Sequence, residues 1–305
     1  MSLKIVFMGT PEFSIPALRL LKKSNHKIVC VYTQPPKKKS RGQKILKNAV
    51  HIFSEKEKIK VRTNQLDSTK EYEEFIKLKP DLVVVIAFGQ IIPEIYLKTP
   101  NLIFLNVHAS LLPKLRGAAP IERAIMNKEN LTGISIMKIE KKLDAGPFLK
   151  QVTTKIDKDT TSGELKKKLS IIGAEALKES IELIISGKAI FQKQNEKEAT
   201  YAKKIDKAET KINWQDKAEN IIAKINAFYP KPGAWSLLKN ERIKILKARE
   251  VKGNGKEGEI IDNKLTVACS YNAIQILRIQ KEGKREMDVI EFLAGHNIKK
   301  GTKLD

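Results

Sequence analysis

The chain has 305 residues, with 58 Lys and Arg against 35 Asp and Glu and a formal net charge of +23. That length supports two domains with real cores, and no apolar run approaches the roughly 20 residues that a membrane-spanning helix needs. The charge points to a polyanionic partner, nucleic acid first, although 49 of the basic residues are Lys and only 9 are Arg, so a solvated lysine surface gives the same total.

The first residues run straight into a strand, Leu3–Met8, which ends at Gly9. They show no charged-then-apolar leader pattern, and a cytoplasmic location is expected. Ile15–Leu21 reads as a helix with one apolar face, and Ile28–Tyr32 as a second strand. Next comes QPPKKKSRGQKILKN, from Gln34 to Asn48. Two prolines, a lysine triplet and Arg41-Gly42 make it a surface loop. Lys37, Lys38, Lys39, Arg41 and Lys44 are its candidate phosphate contacts, Arg41 by a forked contact that lysine cannot make.

Asp81–Ala87 and Leu102–Val107 are the third and fourth strands. Near-continuous apolar strands separated by helices indicate an open α/β domain with a parallel sheet. Such sheets bind ligands beyond the carboxyl ends of their strands, where Gly9, Phe88-Gly89 and Asn106-x-His108 all fall. The first loop, GTPEFS, holds a single glycine, so a dinucleotide fingerprint is absent. Asn106 and His108 are two apart in a strand and share a face. An amide donor beside an imidazole suits charge on a reacting carbonyl oxygen.

Thr132–Ile139 alternates like a strand and ends in KKLDAGP, whose tight bend fixes Asp144 at another strand end. Asp144 can orient the His108 imidazole. Leu165–Ile185 is a long amphipathic helix with Gly187 as its stop. Residues 190–208 read as a polar linker between a domain at 1–189 and one at 209–305. The latter opens with a helix, Asp216–Phe228. Short strands then follow at Trp235–Leu238, Ile243–Glu250, Gly258–Ile261, Lys264–Ala268 and Ile274–Gln280, the pattern of a small all-β, OB-like barrel. Cys30 and Cys269 lie far apart in apolar segments and read as core residues. No Cys/His cluster has metal-ligand spacing, and no metal is expected.

With NVHASLLP, the DAG turn, FMGTPEFS, SLLPKLRGAAPIERAI, YAKKI and YPKPGAW in place, nearly the whole chain resembles the formyltransferases that use 10-formyltetrahydrofolate. The likeness is greatest to members acting on methionyl initiator tRNA. The resemblance implies a Rossmann-like catalytic domain and an OB-like second domain that contacts tRNA. It also implies a catalytic trio of Asn106, His108 and Asp144. Ser110, Leu111, Leu112 and Pro113 then match a folate-binding segment, and Phe88, Gly89, Gln90, Ile91 and Ile92 a loop lining the folate site. The resemblance further implies that the basic loop contacts the tRNA acceptor end, and Leu115 stands where bacterial relatives are expected to carry Trp.

On this reading the methionine amine attacks the formyl carbon, Asn106 and protonated His108 donate to the oxyanion of the tetrahedral intermediate, and Asp144 assists proton transfer. The protein is expected to act as a monomer. A formyltransferase for a small amine (a phosphoribosyl glycinamide or an amino sugar) and a non-catalytic nucleic-acid binder are the alternatives.

Overall fold

The segments KIVFMG, KIVCVY and LVVVI are β-branched and aliphatic without alternation, as strands covered on both faces must be. The computed structural model describes residues 2–39 and 44–305, and in it these segments form strands β1 (Lys4–Gly9), β2 (Lys27–Tyr32) and, after β3 (Val61–Arg62), β4 (Leu82–Ile86). Every residue of β4 is buried. With β5 (Ile103–His108), β6 (Leu131–Lys138) and β7 (Phe148–Lys155) they make a seven-stranded sheet in the order β7-β6-β5-β4-β1-β2-β3.

Strands β1 to β5 run parallel, so Gly9, Ile86 and His108 end at the same edge. The expectation of a parallel sheet is met by these five. Strand β6 instead pairs antiparallel to β5, with Asn106 opposite Met137 and His108 opposite Ser135. Apolar patterning reports burial and carries no strand direction, which is why the reversal was not legible. Strand β7 was not anticipated at all.

Caps start the covering helices. Asn48 accepts from the His51 N–H to open the helix Ala49–Lys56, and Ser68 accepts from Glu71 N–H to open Thr69–Lys77. Such caps contribute about 1 kcal/mol each. Phe75 of the second helix packs with Tyr32, Tyr96 and Phe104 in the core. Gly9 ends β1 where a Cβ would meet the Phe7 ring at 2.8 Å and Ser14 at 3.0 Å, so the turn into the first helix has no room for a side chain.

The basic loop differs from a plain surface loop. Lys37–Lys39 and Lys44–Leu46 pair as an antiparallel hairpin, since backbone pairing is indifferent to lysine side chains, which are common on exposed edges. Lys37 is exposed, and Ile45 is 68% exposed. Arg41 lies outside the described residues, as do the side chains of Lys38, Lys39 and Lys44.

The chain divides into two compact units. The first holds residues up to Gly117 with Thr132–Thr154 and Lys166–Tyr201; the second holds Ala118–Leu131, Lys155–Leu165 and Ala202–Asp305. The second unit thus draws two short segments from the amino-terminal half. It packs the helix Ala218–Phe228 with an antiparallel sheet of β8 (Ala234–Leu238), β9 (Glu241–Val251), β10 (Thr266–Ala268), β11 (Ala273–Lys281) and β12 (Glu286–Asp288). Isolated bridges Leu238–Leu304, Glu259–Lys303 and Ile260–Val267 carry the pairing from β8 round to β10 and close the sheet on itself. The strand expected at Gly258–Ile261 is only those bridges, and the fifth strand is β12. Trp214 is buried and donates from Nε1 to Ser236 Oγ at 3.0 Å, an anchor of this unit.

Candidate active site

Strand β5 delivers Asn106 and His108 to one face at the carboxyl end of the sheet. His108 is buried. Its Nε2 lies 3.0 Å from the Leu115 carbonyl. A carbonyl can only accept, so Nε2 carries a proton and donates. Nδ1 is therefore the ring nitrogen left for chemistry, and it faces Asp144 Oδ2 at 3.7 Å. That separation is too long for a hydrogen bond and short enough for the carboxylate to stabilise positive charge on the ring. The half-buried Asn106 amide makes no hydrogen bond to the described residues.

Asp144 is held by its backbone as much as by its side chain. It adopts φ 47°, in the left-handed region that Asp and Asn tolerate best. Its Oδ2 accepts from the Gly117 N–H at 2.8 Å. Gly146 follows because a Cβ there would collide with the Lys138 carbonyl. The glycine of the DAG sequence is thus a steric necessity of the bend that carries Asp144.

The loop after His108 is fastened at nearly every turn. Ser135 Oγ donates to the Ser110 carbonyl at 2.7 Å and accepts from Leu112 N–H at 3.0 Å. Gln151 Nε2 donates to the Leu112 carbonyl and to Ser135 Oγ, both at 2.8 Å. The Ser110 hydroxyl donates to the Lys114 carbonyl at 2.6 Å, so it is spent inside the loop. Leu112 is buried, whereas Leu111 and Pro113 are half-buried. Leu115 has φ 58° and contributes its backbone, the carbonyl to His108 and the N–H to Thr200 Oγ1 at 2.8 Å. A leucine serves there because the main chain makes both contacts.

The neighbouring loop after β4 is looser. Thr10 Oγ1 and Gln34 Nε2 donate to the Phe88 carbonyl at 2.8 and 3.4 Å, and Gln34 Nε2 also reaches the Gly89 carbonyl at 2.9 Å. Gly89 adopts φ 80°. Phe88 is buried in the core and Ile92 packs against it. Between them Ile91 is 91% exposed, and the buried Gln90 Oε1 has no hydrogen-bond partner among the described residues.

Three structural contributors escaped the sequence reading. Arg116 is fully buried, and its guanidinium donates to Gln194 Oε1 from Nε at 3.0 Å and Nη2 at 2.8 Å. It also pairs with Glu196 at 2.9 Å. Hydrogen bonds from Arg116 and Lys142 hold the Glu196 carboxyl at about 2, well below the usual carboxylate value, while the same pairing raises the Arg116 guanidinium. Gln194 Nε2 donates in turn to the Asp144 and Gly146 carbonyls at 2.8 and 2.7 Å. Arg116 stood inside the conspicuous RGAAPI block, but Gln194 sits in a polar stretch with no periodicity and gave no signal. Residues 192–200 therefore do more than connect, since Gln192 also pairs with Phe148 and Thr200 with Pro113 and Arg116.

An imidazole, a carboxylate and an uncommitted amide at the carboxyl edge of an α/β sheet are the groups that acyl or formyl transfer would use. The formyl transferase family profile matches residues 3–181, and the formyl transferase C-terminal domain profile matches 204–297. The chain belongs to the formyltransferase family, on the methionyl-tRNA formyltransferase branch. Methionyl-tRNA formyltransferase of Pelagibacter ubique is 48% identical over 100% of this chain and 99% of its own length. That of Caldanaerobacter subterraneus is 41% identical, with 99% of this chain and 100% of its own covered. Among solved structures, the sugar 3N-formyl transferase WlaRD, crystallised with dTDP and 5-N-formyl-THF, superimposes with a TM-score of 0.67 at 21% identity, covering 93% of this chain and 100% of that one. HypX from Aquifex aeolicus in complex with tetrahydrofolic acid gives 0.65 at 17% identity over 99% of this chain. The chain spans about half the length of HypX, 51%.

Proposed function

We propose that this chain transfers the formyl group of 10-formyltetrahydrofolate to the α-amino group of methionine carried on initiator tRNA, the step that equips that tRNA for translation initiation. The observation that carries the reading is the His108–Asp144 pair at 3.7 Å beside an uncommitted Asn106 amide, in a chain 48% identical along its length to a methionyl-tRNA formyltransferase.

The residues divide the work. Asn106 donates an amide N–H to the formyl oxygen as negative charge builds there, and the His108 Nδ1–H is the second, charged donor. Losing one such donor typically costs roughly a hundred- to a thousandfold in rate. Leu115 holds His108 Nε2, which keeps the ring from rotating away and leaves Nδ1 on the Asp144 side. Asp144 supports the positive ring, and its remaining oxygen can take a proton from the attacking amine, directly or through one water, and return it to the folate nitrogen as that nitrogen's bond to the formyl carbon breaks. Among the residues after β4, exposed Ile91 offers apolar surface to the co-substrate. Leu111, Leu112 and Pro113 are the matching wall from the other loop.

On this reading the amino-terminal 189 residues carry the catalytic groups, residues 190–208 brace their loops through Gln194, Glu196 and Thr200 besides leading on to the second part, and 209–305 contact tRNA together with Lys37 and the rest of the basic hairpin. The +23 charge supports phosphate contacts, and affinity for initiator tRNA should fall steeply with salt. The test is formyl transfer from 10-formyltetrahydrofolate to charged initiator tRNA, with free methionine and a small amino-sugar acceptor in parallel. Turnover of the tRNA alone supports the reading. Turnover of a small amine without turnover of the tRNA would sink it. Sedimentation of the free protein tests the expected monomer.

A further inference from the structure

The stretch Gln192–Thr200 lies across both loops that carry the candidate chemistry, and Gln194 is its centre. The Gln194 amide is used at both ends. Its oxygen accepts two N–H groups of the buried Arg116 guanidinium, and its nitrogen donates to the carbonyls of Asp144 and Gly146. Glu196 closes the brace from outside by pairing with Arg116 and with Lys142, two residues before Asp144 in the chain. Thr200 fixes the other loop through the Leu115 and Arg116 N–H groups.

These contacts matter because Asp144 sits at φ 47°. Surrounding contacts hold a non-glycine residue in that region, and here the Asp144 and Gly146 carbonyls are both held by Gln194. The Asp144 carboxylate is already 3.7 Å from His108 Nδ1, so a small rotation of the turn removes its electrostatic support of the ring. Arg116 serves as well as it does because its planar fork meets the Gln194 oxygen with two donors and Glu196 with the rest, a geometry lysine cannot copy.

We propose that Gln194 is a positioning residue for the transfer reaction: through its bonds to the Asp144 and Gly146 carbonyls, and backed by Arg116, it sets the distance of the Asp144 carboxylate from His108. The inference rests on the role given to Asp144 above. Gln194 itself touches no substrate.

The experiment compares Gln194→Met, which keeps length and loses all four polar contacts, with Asp144→Asn and the double variant. It uses single-turnover formyl transfer with thermal melting alongside. The expected result for Gln194→Met is a folded protein whose kcat falls roughly tenfold to a hundredfold, the scale of a small misplacement, with KM for both substrates within about twofold. In the Asp144→Asn background the same substitution should cost less than about twofold, because it acts through a carboxylate no longer there. An equal loss in both backgrounds, a loss confined to KM, or an unchanged kcat overturns the proposal. If Gln194→Met does not fold, Glu196→Gln tests the brace from its exposed end. There a kcat loss of about threefold that vanishes beside Asp144→Asn supports it, and an unchanged kcat overturns it. Full activity in Asp144→Asn alone removes the role of Asp144 and the brace with it, whereas a large loss there with none in Gln194→Met removes the brace only.

Discussion

Two loops leave the carboxyl edge of the same sheet and are built on opposite plans. The one from His108 to Gly117, with the turn at Asp144, has its backbone groups taken up by Ser135, Gln151, Gln194 and Thr200. The one from Phe88 to Ile92 is tied at its start by Thr10 and Gln34 and then presents a bare isoleucine, next to a buried Gln90 Oε1 with no partner among the described residues. A site that must stabilise charge in a transition state gains from donors already fixed in place. A surface that must admit and release a ligand gains from side chains not already committed to the protein. On the proposed function, the contrast separates the place where bonds change from the place where a molecule is held.

The largest expected effect tests the fixed loop. Asn106→Ala, His108→Ala and Asp144→Ala should each lower turnover roughly a hundred- to a thousandfold, with tRNA affinity by filter binding nearly unchanged; near-normal turnover in any one removes it from the site. Gly146→Ala comes next. Its Cβ meets the Lys138 carbonyl, and the expected loss is about 2–3 kcal/mol in denaturant unfolding, with activity falling further than stability accounts for. Retained stability would mean that the turn can shift, and that the rigid half of the comparison is softer than its bonding implies.

Ser135→Ala deletes bonds to Ser110, Leu112 and Gln151 inside a buried loop. A loss of about 1–3 kcal/mol is expected, read as a lower melting temperature. The ligand-facing loop should respond the other way round. Ile91→Ser leaves the melting temperature where it is and raises KM for the formyl donor severalfold, since about 1 kcal/mol of apolar contact is removed from a side chain 91% exposed in the free protein. An unchanged KM would place the donor elsewhere.

The smallest effect is on pH dependence. Hydrogen bonds from Arg116 hold Glu196 at about 2, and those from Arg123 hold Glu209 at about 2. A carboxylate whose folded value is depressed stabilises the fold above its ordinary value and loses that contribution as pH falls. Stability should therefore drop between roughly pH 4.5 and pH 2, and Glu196→Gln should flatten part of that slope. Both side chains are partly solvated, so the change is modest.

The parts of this protein that were legible are those where one local pattern has one structural meaning. Uninterrupted apolar runs gave β1, β2, β4 and β5 to within a residue or two. The alternation of two along β5 put Asn106 and His108 on one face, and Asp-Ala-Gly gave a tight bend. Others were not legible because the signal is not local. Burial patterning could not tell that β6 runs against β5, nor that β12 rather than Gly258–Ile261 supplies a barrel strand.

By itself, then, the sequence determined β1, β2, β4 and β5, where they end, and that an amide, an imidazole and a carboxylate fall at strand ends. Only the tertiary structure decided that His108 offers Nδ1 and not Nε2, because that choice is made by a carbonyl seven residues on. It alone decided that Gln194, fifty residues after Asp144 and without any pattern of its own, holds the aspartate turn. Hydrogen bonds between distant segments have direction and short reach, and nothing in the spacing of residues along the chain encodes which of them will meet.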